Sequence, residues 1–219
     1  MLTPLSNHDR RLIATGIGTG AVGFALVACA FAMTAAVPEF DAIVSKRMNA
    51  FGWESPRLTE AMQIVTWFGS LWCLVGLTVL GTAAALGSRD WRLAVVWVVT
   101  MSGQGLTVDQ LKLAFERPRA VYERPLAFES TFSFPSGHSA GSLCGYGLLG
   151  HVLGSRRRVP IRFAIAGVSA LVIAAVGFSR IYLAVHYVSD VLAGYCVGAA
   201  WLSAGLWWYE RAAARTVSS

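Results

Sequence analysis

The chain has 219 residues, of which 55% are hydrophobic and only 14% charged, with a formal net charge of +6. A soluble domain carries about 25% charged residues because its surface faces water. This composition, with a mean hydropathy of +0.56, therefore excludes a disordered chain and argues against a water-soluble enzyme. The positive balance does not point to nucleic acid, since no basic run is interleaved with aromatics outside the apolar stretches. Membrane proteins keep Lys and Arg in loops, where they set topology and meet anionic headgroups.

Along the chain, His8 lies in a polar tail and reads as structural. Arg10-Arg11 before an apolar run, with Ala30-Phe31-Ala32 inside it, imitates a twin-arginine signal and its cleavage site. The run continues over 12–37, longer than a signal core, so we read it as a retained first span. Within it, Gly18-Thr19-Gly20-Ala21-Val22-Gly23 fits the dinucleotide pattern but lacks the strand-to-helix setting that gives the pattern meaning. Helix packing through Gly16 and Gly20 is the simpler reading. Next, Phe40, Ile43, Val44, Met48 and Phe51 recur at helical spacing, which predicts a short amphipathic helix near 40–51 on the outer interface, anchored by Trp53.

Crossing ~30 Å of hydrocarbon takes about 20 apolar residues. Five further runs approach that length, at 62–87, 92–115, 137–153, 161–178 and 184–209. None alternates like a barrel strand. The expected fold is all-α, a polytopic six-transmembrane helical bundle forming a single domain over 1–219. Cys29, Cys73, Cys144 and Cys196 lie inside apolar stretches without metal-site spacing and read as small buried hydrophobes. With the N-terminus cytoplasmic, ten Lys and Arg fall inside and eight outside. Three of the eight, Lys112, Arg119 and Arg180, belong to a candidate anion site, and Arg156-Arg157-Arg158 anchors the inner side. Both termini are thus expected in the cytoplasm of a cell whose inner or plasma membrane holds the protein.

Ionisable groups at the edge of a span are costly and functional by default. Three clusters fall on the predicted extracytoplasmic side, spread over 112–190. Lys112 and Arg119, at the end of the third span, and Arg180, beside the last, offer fixed cations that match phosphate oxygens. Each taken singly also fits a snorkelling anchor. Pro135-Ser136-Gly137-His138 opens a helix, where free N–H groups and the dipole favour an anion. Ser136 also fits an N-cap. His186 and Asp190 are four apart, one helical face, so the carboxylate can fix the tautomer and leave the other imidazole nitrogen nucleophilic. His138 supplies a second imidazole as acid, while His151 reads as structural.

These residues resemble the type 2 phosphatidic acid phosphatase superfamily of integral-membrane lipid phosphatases. Its three-part signature is matched by Lys112-x6-Arg119, by Pro135-Ser136-Gly137-His138, and by Ser179-Arg180-x5-His186-x3-Asp190. One position departs: Ala120 stands where the family usually has Pro. The resemblance implies that His186 attacks phosphorus to form a phosphohistidine, that Asp190 orients it, and that His138 protonates the leaving oxygen and then activates water. It further implies that Lys112, Arg119, Ser136, Gly137 and Arg180 hold the phosphoryl oxygens, with no metal and no cofactor. Arg117, Arg124, Glu116 and Glu123 lie outside the signature and are read as shaping headgroup preference.

The expected function is hydrolysis of a membrane lipid's phosphomonoester or diphosphate, with undecaprenyl diphosphate first and phosphatidylglycerophosphate or phosphatidic acid next. The expected partners are that lipid and the bilayer, with no nucleic acid and an oligomeric state left open. A lipid phosphotransferase would share the first half-reaction. A lipid-binding or transport protein would need only the intramembrane charges. A vanadium haloperoxidase has a similar anion site but is soluble.

Overall fold

A computed structural model describes residues 38–155 and 157–217. The run 12–37, and with it the dinucleotide-like glycines and Cys29, lies outside the described residues. The described residues are helical with no strand: α1 (Glu39–Glu54), α2 (Pro56–Trp67), α3 (Leu71–Gly87), α4 (Trp91–Phe115), α5 (Gly137–Gly154), α6 (Val159–Tyr182) and α7 (Val188–Val217). The helix anticipated near 40–51 is α1. It exposes Phe40, Ile43, Phe51 and Trp53 and buries Asp41 and Ser45.

Local chemistry sets the boundaries. Asp90 caps α4 by accepting the Leu93 N–H at 3.1 Å, which satisfies one of the donors that a helix start leaves free. The same helix stops where Glu116 turns left-handed at φ 44°. The run expected at 62–87 starts earlier, at Pro56, because Pro suits a first helical turn. It is broken at Phe68-Gly69-Ser70, where Ser70 caps α3 through the Cys73 N–H. The freed Phe68 carbonyl accepts the Tyr146 hydroxyl at 2.8 Å.

Among the described residues, three segments are long and apolar enough to cross a membrane: Pro56–Gly87, Val159–Tyr182 and Val188–Ala212. Helices α4 and α5 stand at two other expected spans but are less apolar. For α5 the reason is its position, packed against α3, α4, α6 and α7. Ser139, Ala140, Gly141, Ser142, Cys144 and Gly145 are all buried there. A helix surrounded by protein needs small residues for close approach more than it needs greasy ones. Gly198 illustrates this, since a Cβ on it would stand 2.7 Å from the Ala140 carbonyl oxygen.

The end of the bundle away from the polar clusters holds the main apolar core. Leu74, Leu93, Val96, Trp97, Met101, Cys144 and Leu148 pack together there, and the Tyr209 hydroxyl donates to Asp90 at 2.6 Å. At the other end the C-termini of α4 and α6 meet the N-termini of α5 and α7. The Ser136 N–H donates to the Asp190 carbonyl at 3.0 Å across that junction.

Candidate active site

All three polar clusters come together at this junction. His186, however, is not on a helix face. Helix α6 runs on through Arg180 to Tyr182, and α7 starts only at Val188. His186 therefore lies in the turn between them, which Ala184 shapes with φ 53°, a left-handed conformation uncommon outside glycine. The His186 N–H donates to the Arg180 carbonyl at 3.2 Å. Asp190 is the third residue of α7, and its Oδ2 accepts the Tyr187 N–H at 2.9 Å. That is the carboxylate half of a capping box, at the end where the helix dipole favours a negative charge. The same oxygen lies 3.3 Å from His186 Nδ1 and accepts the Ser133 hydroxyl. The expected His–Asp contact thus forms because one carboxylate caps the helix and holds the ring.

His186 and Asp190 are both buried. Burial pushes the His186 imidazole down to about 4, against the pull of the Asp190 hydrogen bond, and the nearby Arg119 and Arg180 charges push the same way. The ring is neutral at physiological pH. With Nδ1–H directed at Asp190, the free lone pair sits on Nε2, which makes no hydrogen bond among the described residues.

The cations converge as anticipated, but each is already engaged. Lys112 Nζ donates to the Thr131 hydroxyl at 2.8 Å. Arg119 donates to three carbonyls: Thr131 from Nε at 2.7 Å, Phe132 from Nη2 at 3.2 Å, and Val185 from Nη1. These bonds brace the loop at the point where Ala120 replaces the family's proline. Arg180, nine-tenths or more buried, reaches Thr66 from Nη1 at 2.7 Å and the Glu129 carboxylate from Nη2. Burial alone would raise the Glu129 carboxyl, but the Arg180 charge and hydrogen bond outweigh it and hold it below the usual range.

Ser136 caps α5 by accepting the Ser139 N–H and hydroxyl, at 3.4 and 3.0 Å. A Cβ on Gly137 would meet only Val108, at an ordinary 3.5 Å, so packing within the protein does not demand glycine there. The His138 ring feels the charges of Arg180, Lys112 and Arg119. A cleft of about 650 Å³ opens beside the cluster, lined by Lys112, Arg119, Glu129 and Thr131 among others, and neither imidazole lines it. Among the described residues no three His, Cys, Asp or Glu side chains gather in metal-ligating geometry.

Two features were missed in the sequence. Glu129 sits in a loop, where no periodicity marks it. Arg117 was read as facing the headgroup, but it is fully buried and bonds Asp190 and Asp41, so it cannot meet a headgroup. Arg124, by contrast, is exposed and stacks 5.8 Å from the Trp53 ring centroid.

A helical membrane protein with a buried His–Asp pair beside converging cations has a construction suited to binding a phosphoryl group. Residues 91–214 match the PAP2 superfamily, and the chain belongs to it. It is a PAP2 lipid phosphatase, similar to phosphatidylglycerophosphatase B of Bacillus subtilis (strain 168), with 34% identity over 181 residues, 80% of this chain and 86% of that protein. The crystal structure of the transmembrane PAP2-type phosphatidylglycerolphosphate phosphatase from Bacillus subtilis superposes with a TM-score of 0.77. It is 28% identical, covering 89% of this chain and 96% of that one. Aquifex aeolicus LpxE shares the fold, with a TM-score of 0.57 and 22% identity over 76% of this chain and 94% of its own.

Proposed function

We propose that the protein removes the terminal phosphate of a membrane glycerophospholipid at the extracytoplasmic face, through a phosphohistidine on His186. The observation that carries this reading is the His186–Asp190 pair with an unencumbered Nε2 beside Arg119 and Arg180. Nε2 attacks phosphorus while Nδ1–H remains hydrogen-bonded to Asp190, which stabilises the ring as it becomes positive. Lys112, Arg119 and Arg180, with the N–H groups at the start of α5 around Ser136 and Gly137, stabilise the phosphoryl oxygens. His138 protonates the departing oxygen and then takes a proton from the water that releases phosphate. Arg180 exchanges Glu129 for a phosphoryl oxygen when substrate enters.

Phosphatidylglycerophosphate moves ahead of undecaprenyl diphosphate as the favoured substrate, because the two Bacillus relatives are named for it. The six-span layout expected from the sequence takes α2–α3, α4, α5, α6 and α7 as five of its spans. Arg89, Arg92, Arg157, Arg158 and Arg211 flank the end opposite the site, which supports cytoplasmic termini by the positive-inside rule. Helix α1 then lies on the outer interface.

The test is phosphate release by detergent-purified protein and by His186→Ala, on phosphatidylglycerophosphate, phosphatidic acid and undecaprenyl diphosphate. We expect release fastest from the first and lost in the variant. Undiminished release by His186→Ala would overturn the histidine mechanism. Transfer of the phosphoryl group to an added lipid alcohol without free phosphate would replace hydrolysis by phosphotransfer.

A further inference from the structure

The signature residues account for one side of Asp190. Its Oδ2 serves His186, the Tyr187 N–H and Ser133. Its other oxygen, Oδ1, takes Arg117 Nη1 at 2.6 Å. That guanidinium is fully buried, and its Nη2 reaches Asp41 Oδ2 on α1 at 3.0 Å. Nη1 also donates to the Ser189 hydroxyl at 2.7 Å. Asp41 in turn accepts the Ser189 N–H at 3.2 Å and the Ser189 hydroxyl. The guanidinium plane lies 4.5 Å from the Tyr187 ring centroid, a cation–π contact that fixes the plane further.

A buried ion cluster of this kind is poor evidence for stability, because desolvating the charges costs as much as their attraction returns. Its geometry suits a different role. A carboxylate held only through Oδ2 can swing about its Cβ–Cγ bond, and the imidazole it holds would swing with it. A guanidinium fork bridging two carboxylates stops that rotation. Asp41, the far end of the bridge, comes from α1, well before the signature in sequence.

We propose that Arg117 and Asp41 are a positioning pair for the phosphatase reaction: α1 holds Arg117, and Arg117 sets both the orientation and the effective charge of Asp190. The inference rests on the reading of His186 as nucleophile. The charge effect has a definite sign. His186 faces Asp190 from α7, Arg180 from α6, His138 from α5, and Arg119 and Glu129 from the loop between α4 and α5. Arg117 reaches His186 through Asp190, partly cancelling the negative charge that would favour a protonated ring. Removing Arg117 strengthens that negative charge, so the ring holds its proton to higher pH. Neutralising Asp41 leaves Arg117 more positive and acts in the opposite direction.

The experiment measures kcat, KM and the acid limb of the pH–rate profile for Arg117→Met, Arg117→Lys and Asp41→Asn, with His186→Ala alongside. Folding is monitored by gel filtration in detergent. Misplacing a catalytic group by about 1 Å costs roughly a hundredfold. We expect Arg117→Met to lose about a hundredfold in kcat with KM within about threefold, and its acid limb to move up by roughly half a unit or more. Asp41→Asn, which keeps the size but removes the charge and one of the two acceptor oxygens, should lose about tenfold in kcat and shift the limb downward. Arg117→Lys keeps the charge without the fork, so it should hold the limb near wild type while kcat recovers only in part. Wild-type kcat and an unmoved limb in folded Asp41→Asn would overturn the proposal. So would losses that follow the folded fraction alone. Full activity in His186→Ala would instead overturn the underlying phosphatase mechanism, whatever the Arg117 variants do.

Discussion

The two ends of the bundle use the same residue type in opposite ways. At the core-packed end, exposed Arg211 stacks 4.1 Å from the Trp207 ring centroid, and Arg92 lies 5.3 Å from that of Trp91. These side chains cover apolar surface and keep their charge near water. At the site end, Arg117 and Arg180 are buried and each holds a carboxylate. Burial with a partner, rather than the presence of arginine, distinguishes a functional cation from an anchor. Composition alone would score both ends alike.

The largest expected contrast comes from truncating one arginine at each end. Arg180→Ala removes a donor that the proposed mechanism directs at the phosphoryl oxygens and should cost about 10²–10³ in kcat, measured as phosphate release at saturating lipid. A loss under tenfold would make Arg180 another anchor. Next is pH. In the proposed mechanism the neutral imidazole is the nucleophile, and burial holds His186 near 4 rather than its ordinary 6.5. Activity should therefore persist as pH falls through 6 and be lost only around 4, which a kcat/KM profile resolves. A limb at the ordinary imidazole value would mean that His186 is far wetter than its surroundings imply.

A smaller effect concerns Glu129. Its carboxylate occupies Arg180 before any phosphate arrives. Glu129→Gln should let vanadate inhibit at roughly three- to tenfold lower concentration, an interaction change of about 1 kcal/mol. Unchanged inhibition would show that Arg180 is freed without cost. The smallest effect is at the far end, where Arg211→Ala should change activity less than about twofold and stability by about 0.5–1 kcal/mol, read from thermal inactivation in detergent.

How much was legible in the sequence divides along the same line. The contacts of Lys112, Arg119, His138, Arg180, His186 and Asp190 with one polar cluster were foreseeable, because widely separated charges at span edges have few places to go. The helix near 40–51 also followed from periodicity. The placement of His186 on a helix face did not hold. Four-residue spacing fits a helix, but it fits equally a turn whose carboxylate caps the next helix. Arg117 was misread for a related reason: an arginine among loop residues looks solvated until the chain folds an acid from α1 onto it. The run at 137–153 was read only as a span, and its serines and glycines are shielded by four neighbouring helices, which local sequence does not show. Glu129 has no local pattern at all, and only the tertiary fold brings it to Arg180.

The Ser136–Asp190 backbone bond, with Gly198 seated against the Ala140 carbonyl, makes the starts of α5 and α7 a single chassis. In the proposed mechanism that junction fixes the spacing between His138, the acid on α5, and Asp190, the carboxylate on α7 that steers His186.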